Sequence, residues 1–318
     1  ARRGGSQNIV RAGSSSHLNL CDRHIPVDAN WRVMAVTLPA DVCHQYYRFS
    51  LYNSPFVAHD EGRAVDLYPE GDVVPSPVAG EVVETKRVRA PPKEYAADHD
   101  WLVLIDTSDA VARLLHVDPS VAVGDRVAVG DPLGETVRAG FFAPWVPDHL
   151  HLEFRDPDAN PYRASGSKRL ALGVGVEPLA WDGTGTVVEA GETWARLDSP
   201  AHPAPGERFV GLANGDDASG RPPAVVDGGL PHYDGGGLLA GKLIGGSESG
   251  GERAVRVAGE RVGTATGRTV AWDDVTVLAN GDPVTGLALF CARDRFGVKL
   301  VGESVDLEVG EDVAVEIR

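Results

Sequence analysis

The chain has few of the features that would place it in a membrane or in a disulfide-rich scaffold. Its three cysteines (Cys21, Cys43 and Cys291) are odd in number and widely spaced, so we expect buried thiols and no disulfide framework. There is no apolar stretch of membrane-spanning length, and no charged start followed by a hydrophobic run. We therefore expect neither a membrane anchor nor a signal peptide, and a cytoplasmic location is favoured over a secreted one.

Basic residues are also scarce. The chain has 30 basic and 46 acidic residues, which gives a formal net charge of −16. Phosphate groups are bound by positive potential, so nucleic acid and anionic membrane surfaces are not expected partners. The basic residues are mostly arginine. An acidic, lysine-poor surface is typical of proteins that work at high salt, so salt adaptation is one hypothesis for this chain.

Long helical patterns are lacking, whereas Gly (38) and Pro (22) are abundant and β-branched runs are short. This composition predicts a mostly β protein with many turns. A chain of 318 residues can form two domains with a core in each. In the first domain we expect strands at 31–36, 46–51, 80–89, 101–107, 110–117, 126–129, 132–137 and 149–155.

Two short segments carry metal-ligand chemistry. His59 precedes Asp66 in one of them, and His149 and His151 alternate with apolar residues in the other. Alternation is typical of a half-buried strand, so both imidazoles of the second segment share one face. Imidazole nitrogen and carboxylate oxygen are standard Zn²⁺ donors, and a catalytic zinc needs only three protein ligands.

The first segment alone would be interpreted as a surface loop with an ordinary charged cluster. Gly62 allows a tight turn after His59, so that Asp66 can face His59 across the bend. The second histidine cluster makes a shared zinc site the better interpretation.

The order of these motifs resembles that of lysostaphin-type (LytM-like) zinc endopeptidases over about residues 55 to 157. The resemblance implies a barrel-sandwich-hybrid, antiparallel β-sheet peptidase domain. Its motifs imply that zinc is held by His59, Asp66 and His151, with His149 and His116 beside the bound water and the developing oxyanion. The segments that carry the resemblance are the His59 to Asp66 motif, 74–83, 114–118, 123–134 and the His149 to His151 strand.

A histidine can accept a proton from water and return it to a leaving amine because its ordinary pKa is about 6.5. We expect His149 to be the base and His116 to stabilise the oxyanion. Without the resemblance, His116 would be interpreted as a hydrogen-bonded histidine at a strand end. His99 is expected in a solvated loop, and no role is assigned to His17, His24, His44, His202 and His232.

The first motif departs from the pattern of most lysostaphin-type enzymes, since six residues rather than three separate His59 from Asp66. The longer form is similar to a motif of D-Ala-D-Ala metallopeptidases, but the His-x-His strand favours the lysostaphin-type family. The expected substrate is a peptide or a peptidoglycan-like polymer. A salt-adapted host need not make peptidoglycan, so the choice stays open.

The predicted organisation is a flexible arm at 1–16, a zinc-peptidase-like β domain at 17–175, and a β-rich accessory domain at 176–318. In the last region we expect strands near 186–188, 269–277, 287–291 and 305–317, and loops at 200–206 and 214–237. Its glycine clusters lack the Lys-Ser/Thr ending of a phosphate loop.

Two classes of function remain open at this stage. One is a zinc metalloendopeptidase, and the other is a non-catalytic peptidase-like module for binding or regulation. The joint presence of His59, Asp66, His116, His149 and His151 favours the enzyme, because binding alone does not require all five.

Overall fold

The computed structural model describes residues 35–215, 223–240 and 251–318, and these residues form short β-strands with very little helix. The predicted mostly β class is confirmed. The helical elements are α1 (Ala40–Cys43) and a 3₁₀ segment, Val57–Gly62. The described residues contain no helix long and apolar enough to span a membrane. The predicted arm, Cys21, His17, His24 and most of the strand at 31–36 lie outside the described residues.

The first half of the described chain contains twelve strands, and the predicted strands from 46–51 to 149–155 are all among them with somewhat different ends. They are β1 Val36–Leu38, β2 Arg48–Ser50, β3 Ala64–Tyr68, β4 Val73–Pro75, β5 Gly80–Arg89, β6 His99–Asp106, β7 Val111–Leu115, β8 Val117–Pro119, β9 Arg126–Val127, β10 Pro132–Thr136, β11 Leu150–Arg155 and β12 Leu170–Leu172.

The second half contributes fifteen strands within the described ranges, and the predicted strands at 269–277 and 305–317 are shorter than expected. They are β13 Val176–Leu179, β14 Thr184–Gly191, β15 Trp194–Leu197, β16 Phe209–Leu212, β17 Val225–Leu230, β18 Gly235–Leu239, β19 Glu252–Val257, β20 Glu260–Thr266, β21 Thr269–Trp272, β22 Val277–Ala279, β23 Asp282–Val284, β24 Gly286–Leu289, β25 Cys291–Ala292, β26 Lys299–Val301 and β27 Asp312–Ile317.

Two large sheets organise these strands. The ten-stranded sheet has the order β13-β16-β25-β2-β3-β11-β7-β6-β5-β9, and the twelve-stranded sheet the order β19-β20-β21-β18-β17-β24-β26-β15-β14-β27-β22-β23. A three-stranded sheet (β4-β10-β8) and a parallel pair (β1-β12) complete the described topology. Three strands from the second half of the sequence thus extend the sheet of the first half.

The described residues form two main apolar cores. The first core contains residues such as Leu67, Leu114 and Leu152, which alternate with the polar residues of β3, β7 and β11. The second core is built entirely from residues after 186. Cys43 and Cys291 are free and buried, as predicted for these two thiols.

The predicted loop at 214–237 is wrong in its second part, because β17 and the start of β18 lie there. The glycines that suggested a loop permit close strand packing instead. A Cβ at Gly228 would lie 2.8 Å from the Cα of Gly236, and one at Gly237 would lie 2.2 Å from the ring of Tyr52. Sequence patterns favour loops for glycine because they do not show which backbones must approach closely.

Candidate metal centre

Asp66 and His151 face each other across neighbouring antiparallel strands. They are register partners of β3 and β11, and Asp66 Oδ1 lies 3.0 Å from His151 Nδ1. Their strand neighbours Val65 and Leu152 are fully buried in the apolar core. The alternation of the two strands therefore places both polar side chains on the same face.

His59 reaches the pair from the 3₁₀ segment before β3. Its Nε2 lies 3.2 Å from His151 Nδ1 and 3.4 Å from Asp66 Oδ1. The turn that returns the chain to β3 contains Gly62 with a φ of 66°. Glycine is favoured there by the positive φ, and a Cβ would also come within 2.4 Å of the Arg268 guanidinium. The ligand-type atoms of His59, Asp66 and His151 all lie within 4.8 Å of one another.

Outer hydrogen bonds fix which ring nitrogen of each histidine points inward. His59 Nδ1 lies 2.9 Å from the carbonyl oxygen of Leu51, which can only accept, so Nδ1 carries the hydrogen. His151 Nε2 lies 3.2 Å from Glu153 Oε1 and donates in the same way. The lone pairs of His59 Nε2 and His151 Nδ1 then converge on the Asp66 carboxylate, which demands a cation between them.

The charge balance of the group is consistent with this requirement. Burial lowers the pKa of His151, but hydrogen bonds to Asp66 and Glu153 outweigh it and raise that pKa to about 9. Burial likewise raises the pKa of Asp66, yet His59, His149 and His151 together hold it well below its usual value. Without a metal, a proton on His151 is the cation of the site. Zinc, with two imidazoles and a carboxylate, fits the same donor set.

Glu153 anchors this arrangement from behind His151, a role that we did not assign from the sequence. It is completely buried and bonded to Arg113, Arg155 and Ser167 as well as to His151. Burial raises its pKa, but these partners lower it to about 2. The signal was its position, since Glu153 lies two residues beyond His151 on the same face of the strand.

His116 lies at the end of β7 and is oriented by a carboxylate that the sequence did not reveal. Its Nδ1 donates to Asp100 Oδ2 at 2.7 Å, and its backbone N–H donates to Asp100 Oδ1 at 3.0 Å. Its φ of 69° is rare for a residue with a side chain. Asp100 is fully buried, and burial alone would raise its pKa. The interaction with His116 and the backbone hydrogen bonds that Asp100 accepts outweigh this effect, so the pKa of Asp100 lies below its usual value.

His149 lies just before β11, with its Nδ1 donating to the carbonyl of Pro147 at 2.8 Å. Its Nε2 is therefore free to accept, and it lies 3.6 Å from Asp66 Oδ1. Burial lowers the pKa of His149 to about 4, so the ring is neutral near pH 7. Its ring centroid lies 5.0 Å from that of His116, so the two histidines are neighbours.

All five residues singled out in the sequence line one narrow cavity of about 30 Å³. This volume suits an ion or a water molecule and little more. The cavity wall also includes the aromatic residues Phe141, Phe142 and Tyr233, the last from the second half of the chain.

The second half of the chain also supports the loop that carries His59, although the sequence indicated no chemistry there. Asp227 on β17 accepts hydrogen bonds from the backbone N–H groups of Leu51 and Tyr52 at 2.6 and 3.1 Å. Arg268 donates to the carbonyl oxygen of Glu61 at 2.9 Å. These contacts join residues about 175 to 207 positions apart, which no local pattern can indicate.

The other described histidines lie outside this cluster. His99 begins β6 and pairs with Asp98 at 3.2 Å, so it belongs to a strand rather than to the predicted loop. His44 stacks on Phe209, and His202 bonds the carbonyl of Arg208. His232 packs between the rings of Trp145 and Tyr233.

Two family models match the chain, and both describe parts of one family. Residues 37–172 match the N-terminal domain of DUF8155, a domain of unknown function, and residues 177–318 match its C-terminal domain. The chain belongs to the DUF8155 family. No curated protein matches it.

The two DUF8155 domains contribute unequally to the centre. His59, Asp66, His116, His149 and His151 all lie in the N-terminal match, whereas Asp227, Tyr233 and Arg268 lie in the C-terminal match. The descriptions of the DUF8155 models name no activity. The lysostaphin-type resemblance therefore stays a prediction.

Proposed function

We propose that this chain is a zinc-dependent endopeptidase that hydrolyses a peptide or peptidoglycan-like substrate. The observation that carries the proposal is the convergence of three buried donor atoms whose hydrogen bonds leave their lone pairs directed at one point. Two further histidines, each with Nε2 free to accept, lie beside that point. A structural histidine cluster has no need of this second pair.

Three atoms would hold the metal: His59 Nε2, Asp66 Oδ1 and His151 Nδ1. Zinc bound there would polarise the scissile carbonyl and acidify a bound water. Leu51 and Glu153 would keep the two imidazoles in the tautomers that ligation requires.

His116 is the better candidate for moving the proton, which reverses the assignment expected from the sequence. The carboxylate of Asp100 stabilises a positive charge on the His116 ring, as the aspartate does in a Ser-His-Asp triad. His116 Nε2 would take a proton from the attacking water and return it to the leaving amine.

His149 suits a different task, because its low pKa and its carbonyl partner keep it neutral. Its Nε2 would accept a hydrogen bond from the attacking water and orient it. A cation at the ligand cluster would lower the pKa of His149 further, so this neutral role does not depend on whether metal is bound.

The surroundings favour cleavage within a chain rather than at its end. A cavity of about 520 Å³, walled in part by Phe56, Leu115 and Tyr162, adjoins the site. A second cavity of about 300 Å³, with Asp60 and Asp234 in its wall, also adjoins it. Each shares wall residues with the narrow central cavity, so the two would accommodate the parts of an extended peptide that flank the scissile bond.

The test is peptide cleavage by the zinc-loaded full chain, read by mass spectrometry on a mixture of peptides that includes glycine-rich and D-Ala-containing ones. We expect internal cleavage by the native chain and by His44→Ala, an exposed control that lies outside the site. We expect no cleavage by His116→Ala. Zinc binding without cleavage of any peptide would favour the non-catalytic module instead.

A further inference from the structure

A large cavity separate from the candidate metal centre lies between the two halves of the sequence. Its volume is about 790 Å³, and its walls include Tyr47 and Trp145 from the first half and Trp194 and Phe290 from the second. Among the described residues, Val146 alone lines both this cavity and the narrow cavity of the centre.

Two buried cations line this cavity. Arg48 is 6% exposed, and its guanidinium carbon lies 3.5 Å from the ring centroid of Phe290 and 4.4 Å from that of Tyr68. Lys299 is 4% exposed, and its Nζ donates to the carbonyl oxygen of Trp145 at 2.6 Å. Both side chains line the cavity rather than the closed core.

Neither cation forms an ion pair with a carboxylate among the residues that the structure describes, and the Arg48 Nε has no hydrogen-bond partner there. The acidic residues of the cavity wall, Glu94, Glu189 and Glu192, are exposed, and Glu189 pairs with Arg196 at 3.2 Å. Buried charges are normally paired, because their desolvation is otherwise uncompensated. This gap in pairing is unexpected in a chain with a net charge of −16.

The cations also repel one another. Burial lowers the pKa of Lys299 well below its usual value, and the neighbouring Arg48 and Arg138 lower it further, while the charge of Glu189 opposes this shift only in part. Contacts with aromatic rings offset only part of the free-energy cost of burying and desolvating these charges. An anion between Arg48 and Lys299 would remove both the repulsion and the unpaired donors.

We propose that this cavity binds a small organic anion whose carboxylate or phosphate group lies between Arg48 and Lys299. The planar guanidinium of Arg48 suits an oxyanion, and Lys299 adds a second charge. The ring of Trp145 would pack on the apolar body of the ligand, while Trp194 keeps its contact with Lys299, whose Nζ lies 4.3 Å from the Trp194 ring centroid. The proposed anion site does not involve the metal centre, so anion binding would be a property additional to the proposed peptidase function.

The first test uses the native full chain and titration calorimetry at constant ionic strength with chloride as counter-ion. We expect benzoate or phenylphosphate to bind, and we expect neutral benzamide, which has a similar shape, not to bind. Inorganic phosphate serves as a further probe, because its binding would show that the oxyanion is recognised without the aromatic body. Tighter binding of phenylphosphate than benzoate would assign a phosphate ligand, and the reverse a carboxylate. Equal binding of benzamide, or no binding of any anion, would overturn the proposal.

The second test places the site by removing a charge of matched type. Lys299→Met should weaken binding of the preferred anion by at least about tenfold. Lys168→Met, which removes a lysine from an ion pair with Asp156 elsewhere on the chain, should leave it unchanged. Without ligand, Lys299→Met should unfold at the same or a higher temperature than the native chain, because an unpaired buried charge is gone.

If Lys299→Met binds the anion as tightly as the native chain but unfolds at a lower temperature, Lys299 has a purely structural role and the proposal is wrong. If Lys299→Met does not fold, Arg295→Gln at the exposed rim of the cavity is the substitute. Loss of this more exposed charge should weaken anion binding by about twofold to fivefold. No change in that variant would count against the proposal.

Discussion

The carboxylate of Asp227 accepts a hydrogen bond from the backbone N–H of Leu51 at 2.6 Å, across 176 positions of sequence. The carbonyl of Leu51 in turn accepts the Nδ1 hydrogen of His59 at 2.9 Å. A carboxylate of the C-terminal DUF8155 domain thus supports the backbone that orients a candidate ligand in the N-terminal domain. The two domains build one centre together.

Replacing Asp227 with Ala should therefore weaken zinc binding although Asp227 is no ligand. The variant leaves two buried backbone N–H groups unpaired, which costs about 2 to 4 kcal/mol of folding free energy, and it frees the Leu51 carbonyl to move. We expect zinc affinity to fall by about tenfold, as for other outer partners of metal ligands. The measurement is competition with a zinc chelator.

Asp282→Ala is the control for this substitution, because Asp282 is an exposed carboxylate of the same domain that lies outside the cavities around the centre. It should retain native zinc affinity. If Asp227→Ala folds and binds zinc as tightly as the native chain, the C-terminal domain does not position His59.

Asp100 should control turnover without controlling metal content. In Asp100→Asn the buried partner of His116 loses the charge that stabilises a protonated imidazole. We expect cleavage to slow by about 100-fold or more while zinc content stays at the native level. Asp98→Asn changes an exposed carboxylate two residues earlier and should have no effect. Native turnover in Asp100→Asn would return the role of base to His149.

Zinc binding should release a proton near pH 7. The pKa of His151 is raised to about 9, so in the metal-free chain its ring is protonated below that pH, and the proton must leave before Nδ1 can ligate. His149, with a pKa of about 4, is already neutral and releases none.

The apparent zinc affinity should accordingly rise about tenfold per pH unit from 7 toward 9 and level off above the His151 pKa. Titration calorimetry in buffers of different ionisation enthalpy counts the protons. About one proton should be released at pH 7, and about half of one as the pH approaches 9. A pH-independent affinity with no proton release would show that His151 is not protonated in the metal-free site.

The sequence identified the residues at the centre but not those that hold them. That His59, Asp66 and His151 lie together could be predicted, because the short segments that contain them resemble the motifs of lysostaphin-type enzymes. Asp100 and Asp227 could not, since each becomes a partner only when distant strands meet. The strand Val225–Leu230 could not be predicted for a related reason. Its glycines allow neighbouring backbones to approach closely, and only the tertiary structure shows which backbones these are.

The two buried cations of the large cavity illustrate the same limit. Arg48 begins the short strand β2 next to two tyrosines, and Lys299 lies about 250 positions later in an ordinary apolar run. Their meeting depends on β25, a strand of the second half that pairs with β2 in the ten-stranded sheet. Only the sheet order places these two charges beside one cavity.

Zinc content is the most direct test of the central claim. The full chain is purified without added metal, supplied with zinc, dialysed and measured by plasma mass spectrometry beside His151→Ala and the control His99→Ala, with circular dichroism to establish that each is folded. We predict about one zinc per chain in the native protein and in His99→Ala, and none in His151→Ala. A native chain without zinc, or a folded His151→Ala variant that retains one, would contradict the metal centre described here.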